Sequence, residues 1–158
     1  NYGSEKRYYN MVAGFNNRPD ELQCGLLSLK LRYLNQWTAE RQRLAAIYHK
    51  ELSSIDSLTL PSTANGATHV YHLFVVRTAQ RDALQKYLTE EGIGTVIHYP
   101  VPPHLQQAYQ NLQIPKGAFP LTEQLAGEVL SIPLYPGLNE NQQQKVIDTI
   151  RKFFNKKA

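Results

Sequence analysis

Apolar side chains recur at helical spacing over a long segment that begins at Asp20. Asp20 and Gln23, three residues apart, form a variant of the capping box that starts many helices. The pattern then continues to Leu52, which predicts one long amphipathic helix. The apolar positions of this pattern are Leu22, Leu26, Leu29, Tyr33, Trp37, Leu44, Tyr48 and Leu52.

The middle of the chain alternates between strand and helix patterns. Residues 69–78 are rich in β-branched and aromatic side chains, which favours a strand. Residues 82–92 have helical spacing and end in Gly92, a candidate C-cap. Residues 95–99 are again typical of a short strand.

Prolines divide the last third of the chain. Residues 100–109, PVPPHLQQAY, predict a proline-bounded loop entering a short helix, and residues 121–130 predict another helix. Residues 132–138 are expected to be extended, because Pro133 and Pro136 interrupt any regular element. Asn139 then caps a final helix whose buried stripe is Val146, Ile147, Ile150, Phe153 and Phe154.

These elements predict an α+β fold, with a long N-terminal helix followed by a small, mainly antiparallel sheet packed with helices. Residues 1–19 are rich in turn formers, tyrosine and asparagine, and are interpreted as a loop remnant of a larger domain. Residues 20–158 are interpreted as a C-terminal small domain.

Composition narrows the class of protein. With 158 residues, 42% hydrophobic and 19% charged, the chain is typical of a globular domain, and no apolar run reaches the length of a membrane span. Cys24 is the only cysteine and is expected to be a small packing residue. Because no disulfide can form within the chain and no signal segment is recognisable, we expect a cytoplasmic protein. The net charge of +4 comes partly from the C-terminal tail, and no basic stripe alternates with aromatics, so no nucleic-acid partner is predicted.

The sequence contains no self-sufficient catalytic set. His69 and His72 are three apart in a predicted strand, so their side chains are expected on opposite faces, unable to share a metal ion. His98 and His104 lack nearby carboxylate or thiolate partners, so no metal site is predicted. Neither a nucleophile elbow nor a glycine-rich phosphate loop is present.

Two proline-fixed loops concentrate polar and aromatic side chains. In residues 14–23, Asn16 and Arg18 precede a capped helix start, where they either address phosphate or carboxylate oxygens or simply close the turn. In residues 92–106, prolines stiffen the backbone around His98, Tyr99 and His104. These three side chains either orient a ligand or cover the sheet.

Five ordered motifs then carry a family resemblance: NYGSEKRYYN, GFNNRPDELQ, WTAERQRLAAIYHKEL, GIGTVIHYPVPPHLQ and LSIPLYPGL. Together they resemble the DegT/StrS family of sugar-nucleotide aminotransferases. The resemblance implies the C-terminal portion of a fold-type I pyridoxal-phosphate enzyme, usually a homodimer. Such an enzyme transfers an amino group from glutamate to a nucleotide-linked keto sugar for polysaccharide or glycoside biosynthesis.

The resemblance also implies roles for individual residues. Asn16 would reach the cofactor phosphate of the partner subunit, and Arg18 would support it. His98, Tyr99 and His104 would contact the sugar nucleotide. Cys24 and Gly25 depart from the family, which usually has two alanines there, and Gly25 would cost the helix about 1 kcal/mol.

The lysine that binds the cofactor in the family lies upstream of the NYGS motif, and Lys6 and Lys30 do not match it. The chain alone is therefore expected to be inactive, needing a missing N-terminal domain. Two alternatives remain open at this point. One is a pyridoxal-phosphate-dependent deoxysugar dehydratase of the same family, and the other is a non-catalytic dimerisation or sugar-nucleotide-binding module.

Overall fold

The computed structural model describes residues 4–6, 9–12 and 19–155, and the side chains of residues 11–12 and 19–155. The chain divides into two units, residues 1–36 and residues 37–158. Within the described residues, no helix combines the length and the apolar character that a membrane crossing requires.

The first unit contains a short antiparallel pair and a helix. Strands β1 (Ser4–Lys6) and β2 (Tyr9–Asn10) pair with Ser4 opposite Asn10. Helix α1 (Glu21–Leu31) begins where the Asp20 carboxylate accepts a hydrogen bond from the Leu22 N–H at 2.9 Å. Asp20 is therefore confirmed as the N-cap residue, but α1 contains no buried residue. Cys24, expected to be a small packing residue, is exposed.

The predicted single long helix was wrong in one respect, since it is divided into α1 and α2 (Leu34–Leu52). The N–H groups of Arg32 and Tyr33 donate to the carbonyls of Leu29 and Lys30, three residues back. Such tight turns interrupt the i to i−4 ladder of an α-helix. Helix α2 ends at the predicted residue and buries Leu44, Ala45, Tyr48 and Leu52.

The second unit is built on the antiparallel pair β3 (Phe74–Arg77) and β4 (Val129–Ile132), which confirms the α+β fold class. Phe74 lies opposite Ile132, and Arg77 lies opposite Val129. Single antiparallel bridges extend the ladder on both sides, from Arg77 to Thr59 and from Ser131 to Val96. β4 is thus an inner strand, and it is apolar except for Ser131 because both of its edges and faces are covered.

Two strand predictions were too long. Residues 69–73 do not join β3, because Tyr71 has a φ of +48° and donates its N–H to the Nδ1 atom of His69 at 2.8 Å. This local bond replaces a ladder bond. His69 and His72 therefore lie outside the strand. The prediction that their side chains occupy opposite faces of a strand was wrong for this reason. Residues 95–99 form only the Val96 bridge.

The helices of the second unit are α3 (Arg81–Glu90), α4 (Pro120–Glu128) and α5 (Glu140–Asn155), with short 3-10 helices at Pro103–Leu105 and Gln107–Leu112. Helix α4 ends two residues before its predicted end, because Val129 and Leu130 belong to β4. Residues 133–138, predicted as extended, follow β4 without forming a strand.

The predicted caps of α3 and α5 are confirmed. Gly92, with a φ of +73°, ends α3 in a Schellman motif, in which the Ile93 N–H donates to the Leu88 carbonyl at 2.8 Å. The Asn139 side chain accepts from the N–H of Gln142 at 2.9 Å, and so begins α5. The predicted stripe of α5 is buried in one core with residues of α2, α3, β3 and β4.

Candidate functional site

His98 and Tyr99 lie beside a cavity of about 320 Å³. Its walls come from the segment that follows the Val96 bridge, from helix α4 and from the start of β4. The lining side chains are His98, Tyr99, Val101, Pro102, Pro103, Thr122, Leu125, Ala126 and Val129. Two polar rings therefore stand against a largely apolar wall, an arrangement typical of pockets that orient a ligand by a few hydrogen bonds.

The two rings of the site differ in exposure. Tyr99 is 75% exposed, and its ring meets the His98 ring edge-on, with ring centres 5.5 Å apart. The His98 ring is partly buried, and its Nδ1 atom lies 2.9 Å from the Oγ atom of Ser131 on β4. The peptide bond between His98 and Tyr99 is cis. The Ser131 contact thus holds His98 at one end, while Tyr99 is largely exposed.

His104 does not line this cavity. Its side chain is 6% exposed, and its Nε2 atom lies 2.9 Å from the Glu123 carboxylate on α4. A carboxylate can only accept, so the imidazole N–H donates. The same carboxylate oxygen accepts from the Gly117 N–H at 2.7 Å, and the Phe119 ring packs edge-on against His104. These contacts tie the proline loop to the start of α4, so His104 fixes one wall of the cavity.

Glu123 supplies a testable pH dependence. The hydrogen bond from His104 lowers the pKa of the Glu123 carboxyl from its ordinary value of 4.5, and backbone N–H donors at Gly117 and Phe119 act in the same direction. A carboxyl whose pKa is lower in the folded state stabilises the fold above its unfolded pKa, and this contribution disappears as pH falls through the folded pKa.

We therefore expect Glu123→Gln to lower the free energy of unfolding at pH 7. This effect should disappear progressively as pH falls below about 4.5, the ordinary carboxyl pKa, and through the lower pKa of Glu123 in the folded state. Urea unfolding at several pH values between 7 and 3 measures the difference. The matched control is Glu91→Gln, a change at an exposed carboxylate. A stability difference that stayed constant across this pH range would contradict the assignment.

The predicted cofactor residues Asn16 and Arg18 lie outside the described residues. The structure therefore brings together His98 and Tyr99 and places His104 outside the cavity lining, in contact with Glu123. The assignments of Asn16 and Arg18 stay predictions. Sequence reasoning missed Ser131 and Glu123, the partners of the two histidines. Ser131 had a usable signal, because a lone hydroxyl in an apolar inner strand must find a hydrogen-bond partner.

A larger cavity of about 570 Å³ lies elsewhere in the second unit. It is lined by Gly92, Ile93, Gly94, Pro133, Tyr135, Leu138, Gln142, Lys145 and Val146. Size alone does not identify a site, and the smaller cavity is the one lined by His98 and Tyr99, the predicted substrate contacts. Across the residues that the structure describes, no three histidine, cysteine, aspartate or glutamate side chains could hold a metal ion together.

Comparisons with known proteins agree on one family. The model of the DegT/DnrJ/EryC1/StrS aminotransferase family matches residues 1–151. The erythromycin biosynthesis sensory transduction protein EryC1 of Saccharopolyspora erythraea is 48% identical over 96% of this chain and 41% of its own length. The dTDP-3-amino-3,6-dideoxy-alpha-D-galactopyranose transaminase of Aneurinibacillus thermoaerophilus is 41% identical over 97% of this chain and 41% of its own length.

Solved structures give the same result. The structure of S. venezuelae DesV in complex with a ketimine intermediate superposes with a TM-score of 0.92 at 42% identity, covering 97% of this chain and 41% of that one. A Bacillus subtilis relative at 25% identity and a TM-score of 0.82 was solved with the cofactor PMP bound. The chain thus spans about two fifths of the length of the relatives it matches.

Proposed function

Because the chain belongs to the DegT/DnrJ/EryC1/StrS aminotransferase family, we propose that it forms part of a pyridoxal-phosphate-dependent aminotransferase acting on a nucleotide-linked keto sugar. The proposed amino donor is glutamate, and the proposed product is an amino sugar for a polysaccharide or glycoside. The observation that carries the proposal is the cavity beside His98 and Tyr99, which offers polar rings at the positions where the family resemblance expects substrate contacts.

The chemistry of the cavity suits a sugar nucleotide. Hydroxyl and phosphate oxygens need hydrogen-bond donors, and a stiff frame keeps those donors in place with little loss of entropy on binding. His98 and Tyr99 supply such groups, and Pro102 and Pro103 supply the stiff wall. We assign His98 and Tyr99 to substrate contact and His104 to support of the loop that carries them.

The described lining of this cavity contains no lysine or arginine, so these residues do not by themselves form a pyridoxal-phosphate site. We propose that Asn16 contacts the cofactor phosphate with support from Arg18, in a homodimer. When bound, the cofactor supplies the electron sink for amino transfer. The residues of this chain bind and orient the sugar, and the chain alone is proposed to be inactive.

A complementation experiment tests the proposed function. The chain is mixed with the part of the A. thermoaerophilus transaminase that it does not match, together with pyridoxal phosphate, glutamate and a panel of dTDP- and UDP-linked keto sugars. We expect a nucleotide-linked amino sugar and 2-oxoglutarate to form in the mixture, and neither to form with this chain alone. Chromatography of the sugar nucleotides measures the product.

The control for this experiment replaces the chain by the matching C-terminal segment of the transaminase itself. If that control pair is active while the pair with this chain converts none of the sugars, the proposed function is contradicted. Turnover by this chain alone would contradict its proposed dependence on a further domain.

A further inference from the structure

Ser131 is the one polar side chain of β4, and it is 6% exposed. A buried hydroxyl needs a hydrogen-bond partner, because it has given up its contacts with water. Among the described residues, its Oγ atom has one hydrogen-bond partner. That partner is the Nδ1 atom of His98, at 2.9 Å. This contact joins the middle of the sheet directly to the candidate site.

The backbone around Ser131 holds this hydroxyl in place. The Ser131 N–H donates to the Val96 carbonyl at 2.8 Å, and the Val96 N–H donates to the Ser131 carbonyl at 3.2 Å. On its other edge, Ser131 is paired with Val75 of β3. The serine is thus fixed from both edges of the strand, and only Ile97 separates the Val96 bridge from His98.

The hydrogen-bonding capacity of a serine decides the direction of the contact. If His98 donated through Nδ1–H, the hydroxyl proton of Ser131 would be left buried without an acceptor among the described residues. An unsatisfied buried donor destabilises the fold. If Ser131 donates to a bare Nδ1, every proton is used. The second arrangement is therefore favoured.

A bare Nδ1 requires the neutral ring of His98 to carry its proton on Nε2. His98 lines the cavity, and its Nδ1 is already engaged by Ser131, so Nε2–H is the group left for a bound molecule. We propose that Ser131 is a positioning residue that holds His98 as an Nε2–H hydrogen-bond donor. The partner of this donor is an acceptor oxygen of the substrate, and this part of the proposal rests on the proposed function. His98 then acts on the substrate as a hydrogen-bond donor and not as a proton acceptor.

Nitrogen NMR of the whole chain tests this proposal directly. Spectra of the isotope-labelled chain at pH 8, where an ordinary imidazole is neutral, show which ring nitrogen of His98 carries the proton. We expect wild type to show protonated Nε2 and a bare Nδ1 shifted by an accepted hydrogen bond. Ser131→Ala is expected to lose that shift, whereas Ser131→Thr, which keeps the hydroxyl, is expected to retain it.

The matched control is Ser57→Ala, at an exposed serine, which is expected to leave the His98 signals unchanged. Amide spectra of each variant show whether it is folded, and Ser131→Thr provides the comparison if Ser131→Ala does not fold. A proton on Nδ1 in wild type, or an unchanged Nδ1 signal in a folded Ser131→Ala, would overturn the proposal. No cofactor or sugar is present in these spectra, so such a failure is distinct from a failure of the complementation experiment.

Discussion

Leu130→Ala is expected to lower the free energy of unfolding by about 3 to 4 kcal/mol, the largest stability effect that we predict. Leu130 is fully buried on β4 and pairs with Val76, which is also fully buried. Truncation removes apolar contacts and leaves a cavity that an inner strand, fixed by ladder bonds on both edges, cannot close. Urea denaturation followed by circular dichroism measures the loss.

The same substitution at Leu121 is the matched control. Leu121 lies on α4 and is 65% exposed, so Leu121→Ala is expected to change the stability by less than about 0.5 kcal/mol. Equal losses for the two leucines would contradict the description of β4 as an inner strand. Because Ser131 follows Leu130, the Leu130 variant should also disturb the His98 signals, which the Leu121 variant should not.

The sequence was most informative where a pattern is local. The stripe of α5 and the caps at Asp20, Gly92 and Asn139 depend on residues within a few positions of one another, and all are confirmed. Helix α2 also ends where its apolar periodicity ends. Spacing and capping preferences act over one or two turns, so a single sequence is sufficient to predict them.

Errors arose where contacts between distant segments decide the structure. Residues 95–99 have a strand pattern, but only Val96 pairs. Its partner Ser131 lies 35 residues away and belongs mainly to the ladder with β3, so the local pattern could not show how much of the segment would pair. The break between α1 and α2 has neither proline nor glycine to indicate it. Strand propensity depends on such context more than helix propensity does.

The candidate site shows the same division. The proline-fixed loop identified His98, Tyr99 and His104 as a group, but spacing could not distinguish the two histidines. Their partners, Ser131 and Glu123, lie 33 and 19 residues away. Only the folded arrangement shows that one histidine lines the cavity and the other supports its wall.

His98→Ala is expected to have the largest effect on activity, lowering kcat/KM about 10- to 100-fold in the complementation assay if the proposed function is correct. The variant removes a hydrogen-bond donor to the substrate, and the loss of such a contact in a desolvated site costs on the order of 1.4 to 2.8 kcal/mol. His98→Gln, whose terminal amide can also donate, is expected to retain part of the lost activity. A lower activity for glutamine than for alanine would contradict a donor role.

His72→Ala provides the matched control, since His72 is exposed and does not line the cavity. It is expected to leave kcat/KM unchanged.

Comparing the substitutions separates two explanations for a loss at His98. If His98 only filled space beside Tyr99, glutamine and the smaller alanine would differ through stability, and urea unfolding would reveal this. If His98 donates to the substrate, the two variants differ in kcat/KM even when their stabilities are equal, because catalysis depends on contacts that are stronger in the transition state than in the free enzyme and substrate.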